Sequence, residues 1–308
     1  MKVLGIGNAI VDVICKINYE FLEKNNLTKS TMKLVEENEF KKLIKNLQIE
    51  KTISGGSVAN SIVGLSQLGN QVGFIGKVND DDLGKKYFDG LKKENVIFHN
   101  KIKTEKIPTG TCLILITPDS ERTMCTFLGI AGKIGERDID DKIVKKSDIT
   151  FLEGYLWDKG DPQKAFSKAI QNSNVSAMSL SDLFCVERHK EFFLDLVKNK
   201  LNITFANEQE IKALVNAKNF NSVVEFAKTT EKLIIVTRGE KGAIAIQKDN
   251  VLECKAEKIL SIKDLTGAGD LFAAGFLHGY VNKLSLKESL KKGTELSSRV
   301  IQQVGARL

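Results

Sequence analysis

A chain of 308 residues with 42% hydrophobic residues and a further 24 glycines can bury a large core, which marks it as globular and excludes a wholly disordered chain. Its 46 Lys+Arg against 39 Asp+Glu leave a net charge of +7, but the lysines occur as separated pairs (Lys41-Lys42, Lys85-Lys86, Lys92-Lys93, Lys145-Lys146, Lys291-Lys292) and only six basic residues are Arg. That scatter forms no continuous basic stripe and argues against a nucleic-acid partner.

The longest apolar runs, Cys112 to Ile116 and Leu233 to Val236, fall far short of the roughly 20 residues a membrane-spanning helix needs. The opening MKVLGIGNAIVDV is interrupted by Asn8 and Asp12 and leads to no small-residue cleavage site, so a cytoplasmic protein without a membrane segment is expected. Cys15, Cys112, Cys125, Cys185 and Cys254 are odd in number, widely spaced and without a CxxC pair, which predicts buried apolar thiols and neither a disulfide framework nor a zinc site.

In chain order, Val3 to Ile6 reads as a short buried strand, and Val11, Val13, Cys15 and Ile17 alternate as a second strand with one polar face. A helix follows over about Glu36 to Leu47. From Gly56, the residues Val58, Ile62, Leu65 and Leu68 fall at helical spacing up to Gly69, and Val72 to Ile75 makes the next strand. Between Val96 and Leu128 the pattern turns to short alternating segments, Val96 to Phe98, Thr111 to Ile116 and Thr123 to Leu128, joined by turn formers such as Pro118-Asp119; this predicts an antiparallel excursion. Beyond it the apolar strands Ile149 to Leu152, Val175 to Leu180, Ile203 to Ala206 and Leu233 to Val236 alternate with helices. Such alternation predicts an α/β fold whose parallel sheet is covered by helices on both faces. No repeat or linker divides the chain, and one domain over 1–308 is expected.

Two segments carry chemistry. In DLTGAGDLFAAG, Asp264 to Gly275, the small residues Gly267, Ala268 and Gly269 sit where a helix starts, so their backbone N–H groups can approach an anion. Asp270 lies in the first helical turn, either as a plain helix-dipole residue or as the acceptor of a substrate hydroxyl proton. In GGSVANSIVGLSQLG, Gly55 and Gly56 stand at the mouth of a helix with Asn60 one turn in, which suits either a polyhydroxy ligand or close helix packing.

Other motifs are absent. Gly5 and Gly7 follow a strand, but no third glycine comes and a strand pattern continues, which excludes a dinucleotide fingerprint. Gln71 and Phe127 occupy the positions where a P-loop before Gly76-Lys77 or Gly132-Lys133 would need glycine. His99, His189 and His278 share no metal-ligand spacing.

GGSVAN together with DLTGAGD resembles the two signatures of the ribokinase-like (PfkB-type) family of sugar and nucleoside kinases, and the resemblance runs along almost the whole chain. The combination with GNAIVD, ERTM, LEGYLWD, LSDLFCVERH, FANEQE and TGAGDLFAAGF is most similar to bacterial members assigned as adenosine kinases. The resemblance implies a three-layer α/β/α core with a mostly parallel sheet and a small β-rich lid, from about 12–34 and about 96–130, that closes over the sugar. Trp157 would then border the substrate or pack under that lid.

By the same resemblance Asp270 is the catalytic base and Gly267, Ala268 and Gly269 form the anion hole. Asp12 accepts a ribose hydroxyl, with Asn8 beside it. Gly55, Gly56 and Asn60 complete sugar recognition, Glu153 makes a further contact and Arg122 meets a phosphate. Asn207 and Glu210 of FANEQE arrange Mg²⁺ and phosphates through water, although Glu210 also fits an ordinary acid at a helix N-terminus. Thr237 and Gly239 in VTRGEKG form the ATP edge, and Gly242 opens the following strand. Leu265 departs from the small residue or Thr usual after the first aspartate; Asp264 and Thr266 are candidates for a K⁺ site.

The implied activity is ATP- and Mg²⁺-dependent transfer of a phosphoryl group to a primary hydroxyl of a ribose-containing acceptor, foremost adenosine. The alternatives are a sugar kinase of ribokinase, fructokinase or 2-keto-sugar-acid type, and a non-catalytic nucleoside or sugar sensor. Unpaired edges of the lid favour a homodimer through it.

Overall fold

Two sheets organise the chain, which a computed structural model describes at residues 1–100, 102–119, 121–158, 160–259 and 261–308. In chain order the strands are β1 Val3–Ile6, β2 Ile10–Lys16, β3 Met32–Leu34, β4 Ile49–Ser54, β5 Val72–Ile75, β6 Ile97–Phe98, β7 Gly110–Ile116, β8 Arg122–Phe127, β9 Ile149–Glu153, β10 Ser176–Ser179, β11 Ile203–Asn207, β12 Leu233–Thr237, β13 Ala243–Gln247 and β14 Asn250–Cys254. The helices are α1 Tyr19–Lys24, α2 Glu37–Ile44, α3 Ser57–Gln67, α4 Asp82–Lys93, α5 Asp141–Lys145, α6 Asp161–Asn172, α7 Leu183–Asp195, α8 Glu208–Leu214, α9 Phe220–Thr230, α10 Ala268–Val281 and α11 Leu286–Val300.

The larger sheet runs β14-β13-β12-β11-β10-β9-β1-β5-β6. It is parallel except at one edge, where β13 and β14 return antiparallel. Its central strands read as unbroken apolar runs because both faces are covered. Alternate side chains serve two cores: Val3, Phe151 and Ile235 pack with α3, α10 and α11, whereas Leu4, Leu152 and Ile234 pack with α5 to α9. Helix α10 is apolar almost all round because it lies between α3, α11 and the sheet. Gly275 and Gly293 let α10 and α11 approach closely; a Cβ on Gly293 would lie 2.9 Å from the Phe272 carbonyl oxygen.

The smaller sheet runs β3-β8-β7-β2-β4. Its outer side chains, Val13, Cys15, Leu113 and Cys125, form a core under α1 and α2 through Leu22 and Phe40. The opposite face carries Ile10, Ile14, Cys112 and Ile114. Strand period puts Asp12 on that inner face, between Ile10 and Ile14.

Three features depart from the expectation of a purely antiparallel excursion. The segment Val96 to Phe98 is no part of it: β6 pairs in parallel with β5 at the edge of the large sheet. Two apolar residues carry no directional signal, so their partner strand decides where they belong. Within the small sheet β2 pairs in parallel with β7, and β3 with β8. Strand β4, IEKTIS, contributes a whole edge, yet its first three residues are exposed and its sequence gives no clean alternation.

Cys15, Cys112, Cys125 and Cys185 are buried and unpaired, and Cys254 is half-buried. Among the described residues no helix is long and apolar enough to cross a membrane.

Candidate active site

The carboxyl ends of β1, β9, β10, β11 and β12 open into a cavity of about 600 Å³ whose far wall is the inner face of the small sheet. This is where open α/β sheets bind ligands, since the loops that leave the strand ends diverge there. Asn8, Glu153, Asn207 and Thr237 line it from the strand ends, Asp12 from the small sheet, and Gly267 to Asp270 from the start of α10.

Asp270 is half-buried and its carboxylate is held on both oxygens. Ser57 Oγ donates to Oδ1 at 2.6 Å, and Asn60 Nδ2 donates to Oδ2 at 3.0 Å. Both donors come from the first turn of α3, which the Gly55-Gly56 pair brings against α10. Gly56 is the residue before the helix, with φ of 94°, and a side chain there would collide with the Asn8 carbonyl oxygen. Burial pushes the Asp270 carboxyl up to about 6, against the opposing pull of the Ser57 and Asn60 hydrogen bonds and of Arg307.

The turn before α10 is shaped by glycine. Gly267 has φ of 80°, and a Cβ on it would lie 2.6 Å from Ala306 Cα. Gly269 has open space where its Cβ would be, so the first helical turn stays accessible to a ligand. The Ala268 N–H donates to the Leu265 carbonyl at 3.2 Å, which takes it out of the expected anion hole and leaves that task to its neighbours. Amides in a first helical turn lack an intrahelical acceptor and carry the positive end of the helix dipole.

Asp12 points into the same cavity. A side chain on Gly55 would collide with its carboxylate, so the glycine serves to admit Asp12 and does not itself line the cavity. Burial raises the Asp12 carboxyl to about 7, opposed by Arg307 and Arg122. Glu153, expected as a ligand contact, is engaged in structure: its oxygens accept from Asn8 N at 3.3 Å, Asn8 Nδ2 at 3.1 Å and Val58 N at 3.0 Å, so it ties β1 to the start of α3. Those bonds leave Asn8 Oδ1 buried without a partner among the described residues, an acceptor available to a ligand hydroxyl.

At the far end, Asn207 and Glu210 form a capping box on α8: Asn207 Oδ1 accepts from Glu210 N at 2.8 Å and Glu210 Oε2 accepts from Asn207 N at 2.9 Å. Glu210 Oε1 also accepts from Asn207 Nδ2 at 2.6 Å. Both readings of Glu210 therefore coexist, as a helix N-terminal acid and as a cavity-lining carboxylate that burial raises to about 7. Thr237 lines the cavity, but Gly239 does not. Gly242, with φ of 89°, turns the chain into β13, where a side chain would collide with the Cys254 carbonyl.

Arg122 is not free to meet a phosphate. Its Nη2 lies 2.6 Å from Asp264 Oδ2 and its Nη1 donates to Thr266 Oγ1 at 3.0 Å, in a nearly buried pair that fastens β8 to the turn before α10. Asp264 also accepts from Thr266 N, Thr266 Oγ1 and Gly305 N. With every side-chain oxygen engaged and a guanidinium in contact, the Asp264 and Thr266 side chains leave no free ligand for the expected K⁺ ion.

Trp157 borders the cavity, yet it packs away from the small sheet, stacked on Phe192 at 3.8 Å and edge-on to Phe166 at 5.2 Å. His189 lines the cavity as well, at a break in α7, whereas His99 and His278 are elsewhere. Sequence reasoning missed Ser57, Tyr155, Phe184 and Arg307. Ser57 stood inside the GGSVAN signature and was readable there as a donor one residue past the glycines; Arg307 carried no local signal.

Comparison with known proteins agrees with this geometry. The model of the pfkB family of carbohydrate kinases matches residues 27–308. The crystal structure of adenosine kinase from Sinorhizobium meliloti superposes with a TM-score of 0.93 at 36% identity, covering 100% of this chain and 95% of that one. A probable sugar kinase from Rhizobium etli gives 0.92 at 35% identity over 99% and 94%. The adenosine kinase of Schizophyllum commune is 25% identical over 99% of this chain and 96% of its own. The chain belongs to the PfkB family of carbohydrate kinases, with the ribokinase-like α/β fold. It is thus a kinase of the sugar and nucleoside type, drawing its phosphoryl group from ATP.

Proposed function

We propose that the protein transfers the γ-phosphoryl group of ATP to the 5′-hydroxyl of adenosine, giving AMP and ADP, a purine-salvage step in the cytoplasm. The observation that carries this reading is one cavity holding a hydrogen-bonded Asp270 beside an open helix start, opposite a second carboxylate set in an apolar sheet face. Ile10, Cys112, Ile114, Met124 and Leu128 on the small-sheet side suit a planar apolar base, which a free sugar lacks. Resemblance to the Sinorhizobium meliloti adenosine kinase supports the same acceptor.

In this mechanism Asp12 and Asn8 Oδ1 accept the ribose hydroxyls and orient the 5′-oxygen toward Asp270. Asp270 takes the hydroxyl proton as the oxygen attacks the γ-phosphorus, and the bond from that phosphorus to the bridging oxygen of ADP breaks. The start of α10 at Gly267 and Gly269 stabilises charge on the transferring group. Asn60, turned toward Asp270, orients the base more than it reads the sugar.

Mg²⁺ bound with the triphosphate neutralises phosphate charge. The donor set fits such an ion: Glu210 with Asn207 offers a single cavity-lining carboxylate reachable through water, and Mg²⁺ bound with a triphosphate keeps its other ligands on water and phosphate. A homodimer through the small sheet belongs to the same reading, since β3 and β4 each leave one side unpaired.

The test is ADP release with Mg·ATP against adenosine, other nucleosides, ribose, fructose and 2-keto-sugar acids. Turnover with adenosine at micromolar KM and little with free sugars is expected. Turnover with a free sugar alone would assign the chain to the second reading, a sugar kinase, which the Rhizobium etli relative favours. Ligand-dependent stabilisation without ADP release would make it a sensor.

A further inference from the structure

Arg307 lies beyond α11, 247 residues from Asn60, and no step above uses it. Its Nε donates to Asn60 Oδ1 at 2.9 Å. A guanidinium only donates, so this bond decides which end of the amide faces which way: the oxygen meets Arg307 and the NH₂ group meets Asp270. The segment that carries Arg307 is fastened to the turn before α10. Gly305 N donates to Asp264 Oδ2 at 2.7 Å, and Ala306 packs on Gly267 closely enough to forbid a side chain there.

The charge of Arg307 is not neutralised by a direct ion pair among the described residues, and its Nη2 is buried without a partner. Its field therefore acts on Asp12 from β2 and Asp270 from α10, and it also faces Tyr87 in α4 and Glu94 at the end of that helix. Asp270 further faces Glu153 at the end of β9 and Tyr155 just beyond it, while Asp12 faces Arg122 from β8.

We propose that Arg307 is a positioning residue for phosphoryl transfer, orienting the Asn60 amide, and through it the Asp270 carboxylate, while lending positive charge to the Asp12–Asp270 pair. This rests on Asp270 as the base. Burial raises both carboxyls and Arg307 opposes the rise, so its loss leaves less of the ionised base at neutral pH.

The experiment is the pH profile of kcat/KM for the wild type, Arg307→Met and Arg307→Lys, with Asp270→Asn alongside and thermal melts of all four. Arg307→Met is expected to move the acid limb upward from about 6, by about half a pH unit or more, and to lower kcat roughly tenfold with KM for ATP unchanged. Arg307→Lys keeps the charge, so its limb stays near that of the wild type while kcat recovers in part. An Arg307→Met variant that melts earlier with its limb at the wild-type pH, while Asp270→Asn is inactive, would overturn the role of Arg307 alone. Wild-type turnover by Asp270→Asn would overturn the base assignment itself, and this proposal with it.

Discussion

The start of α10 and the inner face of the small sheet meet across one cavity, and they are built on opposite principles. The α10 side is polar, glycine-shaped and cross-braced: Asp270 is gripped by Ser57 and Asn60, and the preceding turn by Arg122 and Gly305. The small-sheet side offers one carboxylate, Asp12, among apolar side chains. A transferring phosphoryl group needs fixed charges at fixed places, whereas a nucleoside needs an apolar surface with one or two hydroxyl contacts. On the proposed function, reaction type resides on one side and choice of acceptor on the other.

The largest expected effect is on the α10 side. Asp270→Asn should lower kcat by roughly 10²–10⁴ with KM for both substrates little changed, as steady-state ADP release will report. A rise in acceptor KM with kcat preserved would move Asp270 to the recognition side and dissolve the contrast.

Arg122 joins the two halves and should be next. Arg122→Ala leaves the Asp264 carboxylate nearly buried and without its cation, at a loss on the order of 3 kcal/mol in denaturant unfolding. Adding Asp264→Asn should recover part of that loss; strictly additive losses would mean that the pair contributes no coupling.

On the small sheet, Asp12→Ala should raise KM for adenosine roughly 10- to 100-fold and leave KM for ATP near the wild-type value. Equal changes in both constants would show that Asp12 serves the site as a whole.

A last effect, on the ligand-free fold and not on turnover, is a pH dependence of stability. Asp12, Glu153 and Glu210 are raised to about 7 and Asp270 to about 6, all by burial. Unfolded carboxyls titrate near 4, so the folded chain binds these protons more tightly. The stability they supply is complete below about pH 4 and is lost as pH rises through about 7. Melting temperature should fall between pH 5 and pH 8, and by less in Asp270→Asn; a flat curve would mean that burial does not raise these carboxyls in the folded chain.

The α10 side was also the more legible of the two. Its residues cluster in DLTGAGD and GGSVAN, two short segments that are each open to an ordinary structural use but together carry the family resemblance. The central strands were legible because burial on both faces leaves unbroken apolar runs. The small sheet was read only in part: β4 exposes half its residues, and β6 is too short to reveal its partner. Arg122 was expected on a phosphate because a guanidinium suits one, but its acidic partner Asp264 lies 142 positions away and no local pattern announces the pair. Arg307 was missed for the same reason, since Asn60 meets it only through the fold.

The most direct test of transfer to adenosine is to identify the products. Wild-type protein incubated with Mg·ATP and adenosine should yield AMP and ADP in equal amounts by chromatography. ADP without AMP, or neither product while a free sugar is phosphorylated, would contradict it.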